Sequence, residues 1–279
     1  MESVRREPVP ALRGLVHHYH GFNFPGVADR ARLEIPSGAA TLVIAFAEPI
    51  RIDVASDGES ETYRRASFLA AGRAVAAIGR HRGHISGIEV TLSHTGAHHI
   101  LGLRMAELAN GFPTLGEVLR REGDLLVEQL AGLPTWEARF ARLDAYLTRR
   151  AADSRVLPAW QVTRATRLVA AGWPLREIQR DVGWGERHLR SRFLEQVGMS
   201  PKAMARVLRL QTALRAHLAG RSWSQAAALA RYHDQAHLGH DVKAITGLTP
   251  GRLAELRRGA PPGSALDRLP GRVTSVLLG

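Results

Sequence analysis

The spacing of apolar residues changes period about halfway along this chain. In the first half they come in short, strand-like runs. "AATLVIAFA" (39–47) is a continuous apolar run of the length of a buried strand, and "PIRIDV" (49–54) alternates apolar and polar residues. "HISGIEVTLS" (84–93) alternates through Ile85, Ile88, Val90 and Leu92, with a phase slip near Gly87 that a bulge would produce. "TYRRASFLAAG" (62–72) reads as one further strand, and "PALRGLVHHYHGF" (10–22) fits a strand or a helix equally. From Thr135 the period is helical. "TWEARFARLDAYLTRRAA" (135–152) starts on Thr135 as a cap and gathers Phe140, Leu143 and Leu147 on one face, suited to a linker helix or a dimer contact.

Further on, one pattern occurs twice. "HLRSRFLEQVGMSP" (188–201) and "HLGHDVKAITGLTP" (237–250) share His-Leu, a third apolar residue at the same place, a glycine and Ser/Thr-Pro, at a constant offset of 49 residues. Leu189, Phe193 and Val197 form one apolar stripe, and Leu238, Val242 and Ile245 form the other. Gly198 and Gly247 suit the left-handed position that ends a helix, and Ser200-Pro201 and Thr249-Pro250 suit the start of the next. A shorter helical segment precedes each copy: "PLREIQRDV" (174–182) before the tight turn "GWG", and "WSQAAALA" (223–230) before "RYHD". Helix, tight turn, helix with a buried stripe is the helix-turn-helix pattern, here present in two copies.

Charge sharpens this picture. The net charge is +12 over 279 residues, but residues 1–150 hold 18 Lys and Arg against 17 Asp and Glu, while 151–260 hold 18 against 8. A basic segment joined to a neutral one predicts a polyanion-binding module attached to something else. The chain has no cysteine, which excludes disulfides, thiolate nucleophiles and Cys-ligated zinc. "MESVRREPVP" lacks the apolar core of a signal peptide, and no apolar run is long enough to span a bilayer. A soluble, cytoplasmic protein with no membrane contact is expected.

Residues 158–258 resemble the DNA-binding domain of AraC-type transcriptional regulators, two helix-turn-helix units joined by a long helix, here "PKAMARVLRLQTALRAHLAG" (201–220). "DQAHL" followed by "GLTP" carries the resemblance most specifically. "GAHHILGLRMAEL" (96–108) is similar, less closely, to a domain often found in front of it. The resemblance implies an α+β N-terminal domain, β-rich and a cupin-like barrel, over 1–132, serving as sensor or dimerisation unit. A linker helix (133–157), an all-α DNA-binding domain (158–258) and a tail (259–279) would follow. It implies double-stranded DNA as partner, with RNA polymerase, a small-molecule effector and a homodimer as further partners, and no cofactor. Family members usually carry Arg where this chain has Ser191 and His240, a small Ala where it has Gln179, and Gly where it has Arg231, whereas Ala227 keeps the pattern.

With the stripes turned inward, the residues left for DNA are Glu186, Arg187, Arg190 and Ser191, with Arg192 toward the rim, in helix 186–197. In helix 235–246 they are Gln235, Ala236, Gly239 and His240, with Lys243 toward phosphate. Arginine pairs bidentately with guanine, and Gln235 is suited to adenine. Two helices so placed would enter successive major grooves. The competing chemistry is metal binding. His233, His237 and His240, flanked by Asp234 and Asp241, share one side of a helix, yet His237 repeats His188, which has no histidine one turn away. In the first half, His17, His18, His20, His81, His84, His94, His98 and His99 with Glu89 could serve a metal-dependent cupin-like enzyme carrying a DNA-binding domain, the alternative reading. No spacing compels that site, and adjacent histidines in a strand face opposite ways. The leading expectation is a regulator, not an enzyme.

Overall fold

The computed structural model describes residues 2–56, 59–260, 267, 269 and 271–278. Its strands are β1 (Glu2–Arg6), β2 (Val16–Glu34), β3 (Ala40–Ala45), β4 (Ile50–Ser56), β5 (Glu59–Arg65), β6 (Phe68–Ala70), β7 (Ala77–Leu92) and β8 (Ser275–Leu277). All pair antiparallel in one sheet, in the order β1-β2-β7-β3-β6, with the β4–β5 hairpin also on β7 and β8 on β2. The long β2 and β7 form its spine and the sheet curls into a half-barrel. "PALRGLVHHYHGF" resolves into a 3-10 turn at Pro10–Leu12 and the start of β2. "TYRRASFLAAG" is split between β5 and β6, because Ser67 leaves the ladder and accepts a hydrogen bond from the Ala45 amide at 3.0 Å.

The phase slip near Gly87 has a different cause from a bulge. Gly87 pairs regularly with Phe22, and the register shifts lie to either side of it along β2, between Val16 and His18 and between Phe24 and Arg30. Residues 86–92 of β7 are all buried because both faces of the sheet are covered there, so polar residues no longer alternate outward. Val43, Ile52, Val54, Phe68 and Phe112 fill one side. Helices cover the other: α1 (His94–Leu101), α2 (Leu115–Leu119), α3 (Arg121–Gly132) and α4 (Trp136–Asp153).

Thr135 caps α4 as its sequence suggests, accepting from the Ala138 amide at 3.2 Å. Its apolar face is used within the chain: Phe140, Leu143 and Leu147 are buried in the same core as Leu42 and Ile88. Tyr19 stacks on Phe140 at 5.8 Å and donates to the buried Asp144 at 2.8 Å. That face is closed to a second copy, unlike the dimer contact that its periodicity suggests.

The C-terminal half is helical: α5 (Trp160–Ala170), α6 (Leu175–Val182), α7 (Glu186–Val197), α8 (Pro201–Leu218), α9 (Trp223–Leu229), α10 (Gln235–Thr246) and α11 (Pro250–Leu256). No described helix is long and apolar enough to cross a membrane. The two halves share a core. Leu33, Ile35 and Ala76 of the sheet pack with Leu214, Val242 and Ile245, and with Val273 and Val276 of the tail. The tail then adds β8 to the edge of β2, Arg32 opposite Leu277 and Glu34 opposite Ser275. Behind it, Arg257 of the segment after α11 and Asp267 form a fully buried ion pair at 2.8 Å, and Asp267 also accepts from the Thr274 amide at 2.7 Å.

Candidate nucleic-acid interface

Each unit is built by the same local chemistry. In the first, Ile178 and Val182 anchor α6, Gly183 (φ 70°) turns the chain, and Leu189, Phe193 and Val197 bury α7. Gly198 (φ 82°) ends α7, and Ser200 caps α8 by accepting from the Ala203 amide at 3.1 Å, with Pro201 in its first turn. In the second, Ser222 and Gln225 form a reciprocal capping box on α9, and Ala226 and Ala227 are buried. Asp234 caps α10 by accepting from the His237 amide at 2.7 Å, Leu238, Val242 and Ile245 are buried, and Gly247 (φ 73°) ends it.

The turns differ in length by one residue. The left-handed residues Gly183 and Arg231 lie 48 apart, whereas His188 and His237 lie 49 apart, so the second turn carries one extra residue before its cap. Arg231 holds φ 58° without being glycine, and its Nη1 donates to the Gly172 carbonyl of the α5–α6 turn at 3.0 Å. The residue at which the second unit departs from glycine is therefore also a tie between the two units.

An aromatic residue follows each left-handed residue and meets the motif histidine edge-on: Trp184 with His188 at 4.5 Å, Tyr232 with His237 at 5.1 Å. This explains the repeated histidine by packing. His233 turns instead to Asp234 at 3.1 Å, His240 is exposed, and Asp241 is buried against α8, accepting from Arg206 at 2.7 Å. The three histidines do not converge. Among the described residues, no group of three or more His, Asp and Glu is arranged to hold a metal ion, in α10 or in the N-terminal half. There, His20 meets Glu89 at 3.5 Å, His84 meets Asn23 at 2.8 Å, and His98 and His99 pair with the carbonyls of Leu103 and Val156, both at 2.7 Å. His18 is held neutral: burial, reinforced by Arg5, pushes its pKa down to about 4.

The outward faces of the two stripe-bearing helices lie open. Glu186, Arg187, Arg190 and Ser191 are exposed on α7; Gln235, Ala236 and His240 are exposed on α10, with Gly239 half-buried between them. Two of the expected contacts are already engaged. Arg192 is half-buried and donates to Glu195 at 2.7 Å, and Lys243 donates to the Gly247 carbonyl at the end of its own helix at 2.5 Å. Sequence reasoning noted Asp241 only as a flank of the histidines and missed its pairing with Arg206, which fixes the inner face of α10. It also passed over Arg176, Arg180, Lys202, Arg221 and Arg252, which are exposed near helix starts or on α6. A cation near a helix N-terminus, repelled by the macrodipole, could have served as the signal.

The N-terminal half touches both units. At the first, Gly72 of the β6–β7 turn approaches Gly198 so closely that a Cβ on Gly72 would lie 2.6 Å from the Gly198 carbonyl oxygen. At the second, the Ala76 amide donates to the Ile245 carbonyl at 2.7 Å.

Residues 178–255 match the family model of a helix-turn-helix domain. No curated protein matches the chain. Among solved structures it is similar to ToxT from Vibrio cholerae O395, at 9% identity over 84% of this chain and 95% of that one, with a TM-score of 0.44. It is similar also to unsaturated fatty acid bound wild-type ToxT from Vibrio cholerae strain SCE256 (11% identity, 88% and 96% covered, TM-score 0.42). The AraC-like transcriptional activator CuxR overlaps more loosely (14% identity, 82% and 99% covered, TM-score 0.29). Residues 178–255 of this chain are thus a helix-turn-helix domain.

Proposed function

We propose that this protein is a sequence-specific transcriptional regulator that lays α7 and α10 into successive major grooves of one DNA duplex. The observation that carries this reading is the pair of equivalent helices, each buried along one stripe and open along the other, held by α8 as a common strut. Arg187 and Arg190 read guanine edges in one groove, and Gln235 and His240 read bases in the other. Arg192 and Lys243 exchange their present partners for phosphate, joined by exposed arginines such as Arg176 and Arg252. The N-terminal half senses a small molecule, pairs two copies, or both, in the cytoplasm. Its grip on both units is the physical route by which a change in the sheet would move them.

Selection of bound duplexes from a random pool, followed by titration of the winner, tests this. The expected site has two elements about 10 base pairs apart per chain and is bound roughly 10³-fold or more tighter than random DNA. A site covering one groove per chain, or equal affinity for random DNA, would overturn it.

A further inference from the structure

A large cavity lies outside the half-barrel. The space inside the barrel, lined by Phe22, Val43, Ile52, Phe68 and Phe112, measures only about 110 Å³. A cleft of about 750 Å³ instead lies where the two halves of the chain and the tail meet. That is the size of a small-molecule site. The sheet side contributes His17, His18 and the Ser37–Ala39 turn, α1 contributes its first turn, and the DNA-binding domain contributes Thr166 and Arg167 of α5 and Leu208 of α8. The tail closes it with Leu269 and Arg272.

Its charge is one-sided. Arg5, Arg6, Arg167 and Arg272 line the cleft against a single carboxylate, Glu7. Arg6 is neutralised by Asp144 at 2.9 Å, and Arg5 spends its guanidinium on the Asp267 carbonyl. Arg167 and Arg272 have no acidic partner among the described residues. Arg272 is half-buried beside His17, His94 and Arg215, and burial together with Arg215 lowers its pKa. The ring nitrogens His94 Nε2 and His18 Nε2 are buried with no hydrogen-bond partner. His94 opens α1, where backbone amides of the first turn have no carbonyl partner within the helix. Gly38 (φ 81°) leaves room there: a Cβ on it would meet His94 Nε2 at 3.4 Å. Unpartnered buried donors and cations without carboxylates are costly in a folded protein unless something else satisfies them.

The geometry points to a binding site for a small organic oxyanion, a carboxylate or a phosphate, in this cleft. Arg272 and Arg167 hold the charge, His94 and the first turn of α1 donate to it, and Leu208, Met204 and Leu269 pack its body. Because its walls come from the sheet, α5, α8 and the tail, an occupant changes how the sensor grips the DNA-binding domain. That regulatory meaning rests on the function proposed above, whereas the binding itself does not.

The test is thermal unfolding of the full chain with inorganic phosphate, citrate or chloride at matched ionic strength, for wild type, Arg272→Gln and the double variant Arg167→Gln/Arg272→Gln. At least one oxyanion gives a saturable rise in wild type, about 3 °C at ten times its Kd, and the double variant lacks it. Phosphate against citrate identifies the head group. In chloride alone, Arg272→Gln melts no lower than wild type, since it removes an uncompensated cation. Equal rises in wild type and double variant, no rise with either oxyanion, or a lower melting point of Arg272→Gln in chloride would each overturn the site. The double variant still binds the selected DNA without added anion; if wild type itself fails to bind DNA specifically, the regulator reading falls and the site stands.

Discussion

Arg231 sets two energies against each other at the hinge of the second unit. Its left-handed backbone costs a non-glycine residue about 1–2 kcal/mol. Its guanidinium recovers part of that through the hydrogen bond to Gly172 at 3.0 Å, an exposed contact worth about 0.5–1.5 kcal/mol. Arg231→Ala keeps the strained backbone and loses the bond, so it destabilises by about 1 kcal/mol. Arg231→Gly loses the same bond but relieves the strain, so it ends near wild type or slightly above it. The difference between the variants, about 1 kcal/mol in favour of glycine, isolates the backbone cost. Urea unfolding of the full chain measures it, provided the slope with denaturant is unchanged. Both variants also lose the tie between units, so both lose affinity for the correctly spaced site relative to one lengthened by a base pair. Equal stability of the two variants would refute the strain argument, and an unchanged spacing preference would refute the tie.

Four further outcomes follow from the geometry. Arg187→Ala and Arg190→Ala each cost about 1–3 kcal/mol on the selected site and little on random DNA, whereas Lys243→Ala weakens both alike; competition titrations read the contrast. Breaking the buried pair with Arg257→Met destabilises by about 3–5 kcal/mol, and adding Asp267→Leu recovers much of it; chemical denaturation of single and double variants decides. Gly72→Val cannot fit against Gly198, so the sheet must shift away from α7, and hydrogen exchange at residues 72–76 and 196–199 rises while the sheet core stays protected. His18 is neutral when folded, with a pKa near 4, and takes up a proton on unfolding below its ordinary 6.5. Stability therefore falls as pH drops from 6.5 to 4, by about 1.4 kcal/mol per pH unit from this residue. A variant His18→Gln shows a shallower fall over that window; an unchanged slope would contradict the assignment.

The repeat was legible because its signals are local. An apolar stripe and a stop glycine mark each of these helices, and α7 and α10 end at the glycines so marked. What the sequence hid was burial from a second side. Alternation reports a strand with one dry face, so β7 lost its pattern at 86–92 where helices cover the other face. The stripe of α4 announces burial but not by which partner, and its own sheet proved to be the partner. Arg257 and Asp267 sit ten residues apart with no local signal to pair them, and only the fold brings Thr274 to the same carboxylate. The cleft is assembled from segments scattered between Arg5 and Arg272, and no window along the chain contains it.

The strand contributed by the tail has a consequence for how the molecule is made. Arg32 donates to Ser275 across 243 residues. At 5–20 residues per second, β2 leaves the ribosome roughly 12–50 s before β8 can reach it. Throughout that interval the nascent sheet has a bare edge, a template for the wrong neighbour. Removing the helical half together with the tail would leave the same stretch of β2 without its neighbour.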